Sequence, residues 1–201
     1  MKHRVVAYGY CGYQNFGDDL FRLVVSERAS DLWPGSESRV FAPTAGFANI
    51  NTVSRHLSHI YQSPTRGGSA AGLFAAVAGI AWGQTIALCG GSTLRALSGV
   101  QRTHAAIARR HLRAFQGLGL SVGPFTNTAQ ATEVEHFLAN FTRLVVRDTP
   151  SLETLNGVLR DRAVLGGDLA ALYRYPPARR SKVDIHIGIM PCASGPRQSR
   201  S

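Results

Sequence analysis

The sequence predicts an α/β domain: a mostly parallel sheet covered by helices on both faces. Three observations carry this. Short apolar runs alternate with amphipathic stretches along residues 2–168. The runs are continuous, not alternating, as strands buried on both faces require. Several of them end in small, glycine-bearing turns, the form of a strand handing over to a helix.

The first unit sets the pattern. Residues 2–9 read as an interior strand. The loop that follows carries Gly9, Gly12 and Gly17 and closes on Asp18 and Asp19. Residues 19–32 read as the first helix, with Asp18 as its N-cap and Leu20, Leu23, Val24 and Ala29 toward the sheet. Trp33, Pro34 and Gly35 stop it. A second strand is expected at 38–42, and 50–60 reads as helical, with His56 and His59 outside any recognised metal spacing.

Residues 64–69 form a turn-rich connector into an apolar Ala/Gly stretch at 70–82. That stretch falls short of a bilayer span. It reads either as a buried helix or as an interfacial one touching a membrane. A strand at 84–88 ends in Cys89, Gly90, Gly91 and Ser92. A helix is expected at 104–116, with Ala105, Ala108, Leu112 and Phe115 inward and Arg109 and Arg113 exposed. Gly117 and Gly119 should break it before a strand at 118–122 and the turn Gly123-Pro124.

A helix at 130–141 follows, with Val134, Phe137, Leu138 and Phe141 inward, then a strand at 144–146 running into Arg147 and Asp148. Pro150 suits a helix start, and Leu152, Leu155, Val158 and Leu159 give that helix an apolar face. Val164 and Leu165 make a short strand before Gly166, Gly167 and Asp168. Residues 1–175 thus read as one domain. Residues 176–201 read as a Pro- and Arg-bearing linker and the incomplete start of another, with a strand at 184–190.

Composition narrows the function. Hydrophobic content of 44% argues against a disordered chain. Lys plus Arg is 22 against 12 Asp plus Glu, a formal net charge of +10. This suits an anionic partner such as a phosphorylated metabolite, a diphosphate-linked glycan or an anionic membrane face. A basic proteome bias would give the same numbers. Nucleic acid is permitted by charge, but no helix or aromatic platform motif supports it. The three cysteines lie far apart and form no metal-ligand cluster, and residues 1–9 do not read as a secretory signal. Together these predict reduced thiols and a cytoplasmic chain.

In an open α/β sheet, ligands bind at the carboxyl ends of the strands. Five such ends carry candidates: the 9–19 loop, 89–92, 123–124, 147–151 and 167–168. The first loop lacks the Gly-Lys-Ser/Thr ending of a phosphate-binding loop and the G-x-G-x-x-G of a dinucleotide site. Asp18 reads as a cap, a loop anchor, or an acid or base. Asn15 reads as a loop brace or a contact to a substrate hydroxyl. Arg147 is placed to grip a phosphate or carboxylate with two prongs, or to pair with an acid such as Asp168. Asp148 can cap the next helix, with Ser151 in its first turn. Asp168 reads as a catalytic carboxylate or as a cap. No catalytic triad, HExxH or CxxC pattern occurs.

Taken together, five segments resemble the polysaccharide pyruvyl transferase family: YGYCGYQNFGDDLF at 8–21, ALCGGSTL at 87–94, GLGLSVGPF at 117–125, LVVRDTPSLETL at 144–155 and VLGGDLAAL at 164–172. IHIGIMPC at 185–192 matches in character the opening strand of that family's second domain. The order and spacing agree over almost the whole chain, and the first and fourth segments are the most specific. Two departures are Cys89 where a third glycine is usual and Leu169 where a proline is usual.

The resemblance implies a cytoplasmic enzyme with two Rossmann-like domains, similar to GT-B glycosyltransferases. This chain would be the N-terminal domain plus the first strand of the second. It would be truncated, with most of the donor-binding half missing from the 201 residues. The implied reaction moves the enolpyruvyl unit of phosphoenolpyruvate onto a cell-surface glycan sugar or its lipid-linked precursor, forming a pyruvate ketal. It needs no redox cofactor. By motif position, Gly12, Asn15, Gly17, Gly90, Gly91, Ser92 and Arg147 would border the substrate, and Asp18 and Asp168 are the candidate catalytic carboxylates. A lipid-linked acceptor would bring the chain to the inner face of a membrane. The alternatives are a GT-B-like transferase using a nucleotide sugar, and a non-catalytic glycan- or anion-binding domain.

Overall fold

Continuous Val, Ile and Leu runs form strands here because each can be covered from both sides. In a computed structural model, residues 1–9, 16–40, 66–90, 93–110 and 113–174 are described. The strands are β1 (Arg4–Tyr8), β2 (Glu37–Val40), β3 (Thr85–Cys89), β4 (Thr93–Leu94), β5 (Ala114–Val122), β6 (Phe141–Val146) and β7 (Val164–Leu165). All pairings are parallel, in the order β2-β1-β3-β5-β6-β7, and β4 prolongs the ladder along the far end of β5. This is the Rossmann-like α/β architecture that the sequence predicts.

The period of two along the strands sorts the core into two layers. Val5, Ala7, Ala87, Cys89 and Leu118 face one side, where they pack with Phe21, Val25, Trp33 and Leu169. Val6, Ile86, Leu88, Phe115 and Leu120 face the other, with Leu94, Val134, Phe137, Phe141 and Leu155. Helices α1 (Phe16–Glu27) and α2 (Ala29–Leu32) lie on the first side. Helices α3 (Arg66–Trp82), α4 (Gly99–Arg109), α5 (Thr128–Leu138) and α6 (Thr149–Thr154) lie on the second. A short α7 (Gly157–Arg162) precedes β7, and a 3₁₀ turn (Leu169–Leu172) follows it.

Several expectations are corrected. Helix α1 begins at Phe16, so Asp18 and Asp19 sit in its first turn and Asp18 is not its N-cap. Its buried stripe is Asp18, Phe21, Arg22 and Val25 with Val24, whereas Leu20 and Leu23 are only half-buried. The helix expected at 104–116 is α4, five residues earlier at its start; Phe115 and Gly117 belong to β5, and Arg113 precedes that strand. Phe141 opens β6 and does not close α5. The single helix expected after Pro150 is two short ones, and Val158 is exposed. The connector at 64–69 is already helical from Arg66. The expected helix at 50–60, with His56 and His59, and the strand at 184–190 lie outside the described residues, as do Cys11 and Cys192.

Gly119 explains why a glycine-punctuated run is still one strand. Its φ is +66°, and an added Cβ would lie 3.1 Å from Leu169 Cγ and 3.3 Å from the Gly167 carbonyl. The pairing of β5 with β6 shifts register between Gly117 and Leu120. The glycine forms a bulge that lets residues 167–169 pass over the sheet.

Candidate functional site

Chain order fixes where a ligand can enter. From β1 the chain steps one way to β2, then crosses to β3 and continues away through β5, β6 and β7. Helix α1 leaves the end of β1 on one face, and α4 follows β3 on the other. The crevice between such diverging helices is the topological switch point of the sheet. Tyr8 and Gly9 reach it from β1, and Cys89 and Gly90 from β3.

The remaining turns leave from the same edge, because every strand runs the same way. The ladder extends one residue past several strand ends. Gly90 N–H donates to the Leu118 carbonyl at 2.9 Å, Arg147 N–H to Leu120 at 3.0 Å and Gly166 N–H to Val146 at 2.9 Å. Gly123 N–H donates to Leu94 at 3.0 Å. Gly90, Gly123, Arg147 and Asp168 therefore stand along one rim. Gly17, Asp18 and Asp19 join it through α1, which packs against the 3₁₀ turn that follows Asp168. Gly12, Asn15, Gly91 and Ser92 lie outside the described residues.

Arg147 is the charged centre of the rim. Its Nε donates to Asp148 Oδ2 at 3.1 Å, and one terminal nitrogen lies 3.6 Å from Asp168 Oδ2. Both acids are pinned from behind. Asp148 Oδ1 accepts the Ser151 N–H at 2.8 Å and caps α6; Asp168 Oδ1 accepts the Ala170 N–H at 2.9 Å and caps the 3₁₀ turn. Ser151 is also tied inward, its hydroxyl accepting the Val122 N–H at 3.0 Å. Hydrogen bonds from the Ser151 side chain, then from its backbone, hold the Asp148 carboxyl below its ordinary range, with Arg147 adding to the effect. Of the two roles open to Arg147 in the sequence, pairing with Asp168 is the one the geometry displays. The Arg147 side chain is 33% exposed, and a guanidinium has more donors than these two carboxylates take up, so it can also meet an anion.

Two residues that the sequence reading passed over are buried beside the rim. Arg22 is 1% exposed, one turn beyond the buried Asp18 and Asp19. Spacings of three and four residues between acid and base on one helix were the available signal. His104 of α4 is also 1% exposed. Its ring stands edge-on to Tyr8 at 4.9 Å, under the end of β1, and meets Phe115 at 5.9 Å. No hydrogen-bond partner reaches its Nδ1.

Burial lowers the His104 pKa from 6.5 to about 4. The folded state therefore resists protonation while the unfolded state accepts it near pH 6.5. Stability is full above that value and falls as the pH drops from 6.5 toward 4, by about 3 kcal/mol in all. Urea unfolding across this window should show that loss, and a His104→Phe variant should lack the His104 share of it.

Among the described residues no three His, Cys, Asp or Glu side chains cluster as a metal site, and the buried Cys89 thiol donates to the Ala87 carbonyl at 3.6 Å. A cleft of about 20 Å³ between α1 and β2, lined by Ala7, Val25 and Val40 among others, has room for little more than a water. No family model matches the chain, and no curated protein matches it.

Proposed function

We propose that this chain is the acceptor-side domain of a polysaccharide pyruvyl transferase. The observation that supports it best is the gathering of Gly90, Gly123, Arg147 and Asp168 on one rim, beside the β1–β3 switch point. These four residues lie in four of the five resembling segments, and the remaining one, 8–21, begins at the end of β1 at the switch point.

The reaction sets what the rim must do. A proton is added to the methylene carbon of phosphoenolpyruvate, and the neighbouring carbon becomes oxocarbenium-like. One sugar hydroxyl attacks that carbon, phosphate leaves with the C–O bond electrons, and a second hydroxyl closes the ketal. The two hydroxyl protons are released, which balances the one taken up by the methylene and the one carried by phosphate. Arg147 is the donor that meets the phosphate or carboxylate as charge shifts. Asp148 and Asp168 aim it. Asp18 and Asp168 are the carboxylates proposed for proton transfer. The acceptor lies along the glycine turns, where backbone can approach it closely. A lipid-linked acceptor would hold the chain at the inner face of a membrane.

The test measures saccharide binding by the chain itself, and turnover of phosphoenolpyruvate with free and lipid-linked saccharide acceptors by the chain joined to a donor-binding second domain. Acceptor-dependent phosphate release, with pyruvate found on the acceptor by mass spectrometry, is the expected result. Sugar transfer from a nucleotide donor would favour a glycosyltransferase instead. Neither reaction, together with no saccharide binding, would count against the proposal.

A further inference from the structure

Helix α3 is packed inside out. Its small residues Gly68, Ala76 and Gly79 are buried, and an added Cβ on the adjoining Gly83 would lie 2.8 Å from Val6. Ile80 and Trp82 at its end pack against the core, but three large residues before them point to solvent: Phe74 is 76% exposed, Val77 49% and Leu73 43%. At 100° per residue these three fall on one stripe, continued by the exposed Ala70 and Ala81. A helix serving only the core would have the reverse arrangement.

The charges around the stripe say what covers it. No acidic residue occurs in α3, and Arg66 opens the helix on the exposed side. At the other end, the Arg4 and Arg39 guanidiniums lie over the Trp82 ring at 5.7 and 4.7 Å, and Arg39 is itself paired with Glu37 at 2.8 Å. With a net charge of +10, two copies meeting on this face would repel. An anionic surface would be attracted.

We propose that the Leu73–Phe74–Val77 face of α3 docks on an anionic lipid surface. The helix lies on the bilayer, because no helix among the described residues is long and apolar enough to cross one. Leu73, Phe74 and Val77 enter the headgroup boundary, and Arg66 at the start of the helix meets lipid phosphates. The inference deepens the pyruvyl transferase reading, in which a lipid-linked acceptor would be met at this surface. It rests on different residues.

The test is co-sedimentation of the whole chain with vesicles of phosphatidylcholine alone or mixed with phosphatidylglycerol. Binding to the mixed vesicles, weakened by salt and lowered about tenfold or more in a Leu73→Gln, Phe74→Gln, Val77→Gln variant, is expected. These side chains are exposed, so the variant should melt as the parent does. Equal binding by parent and variant would overturn the proposal. So would lipid-free self-association that the variant abolishes, since the face would then serve a second copy. Phosphate release with a free saccharide should be unchanged in the variant; its loss alone would bear on the transferase reading and not on docking.

Discussion

Arg147→Ala should lower acceptor-dependent phosphate release by about 10²–10³-fold, the usual cost of removing a preorganised donor from developing charge. The fold should hardly notice. The side chain is 33% exposed and its pairs with Asp148 and Asp168 are at the surface, where such contacts are worth about 0–1 kcal/mol. Asp148 and Asp168 keep their backbone N–H partners without it. A large fall in rate with a nearly unchanged melting temperature is therefore the signature of an anion ligand. A structural brace would give the opposite. Arg147→Lys keeps the charge but loses the planar fork, so it should recover only part of the rate.

Gly90→Ala should destabilise the fold by about 2–5 kcal/mol. Its φ of +61° is costly for any residue with a Cβ, by about 1–2 kcal/mol. The added atom would also lie 2.5 Å from the Phe21 ring, and overpacking of that kind costs about 1–3 kcal/mol more. Phe21 is buried against Leu118, Cys89 and Leu169, so relief would require α1 to move away from the end of β3. That movement would open the switch-point crevice as well as the core. Urea unfolding gives the stability loss, and a Gly90→Ala, Phe21→Ala double variant should lose less than the two single losses combined.

The features most legible in the sequence were those set by local chemistry. Continuous apolar runs reported buried parallel strands, Asp148 ahead of Thr149 and Pro150 reported a capped helix, and paired glycines before Asp168 reported a strand end. Long-range contacts were not legible. Gly117 and Gly119 read as breakers because nothing nearby reveals that Leu120, Leu144 and Phe141 close around the first and that residues 167–169 pass over the second. Phe141 fits a helical stripe as well as a strand start, and its partners Phe115 and Phe137 are set by the fold. Arg22 was hidden because a charged residue is expected outside, yet here the helix turns Asp18 and Arg22 inward beside Phe21. The outward Leu73, Phe74 and Val77 were half legible: the sequence left both a buried and an interfacial helix open.

The central claim is that substrate meets the chain along the carboxyl-end rim, between the β1–β3 crevice and Arg147. Backbone amide NMR during titration with acceptor saccharide and phosphoenolpyruvate tests it most directly. Shifts should concentrate at Gly9, Gly90, Gly123, Arg147 and Asp168. Shifts confined to the opposite edge, at Arg4, Thr85, Ala114 and Phe141, would contradict it.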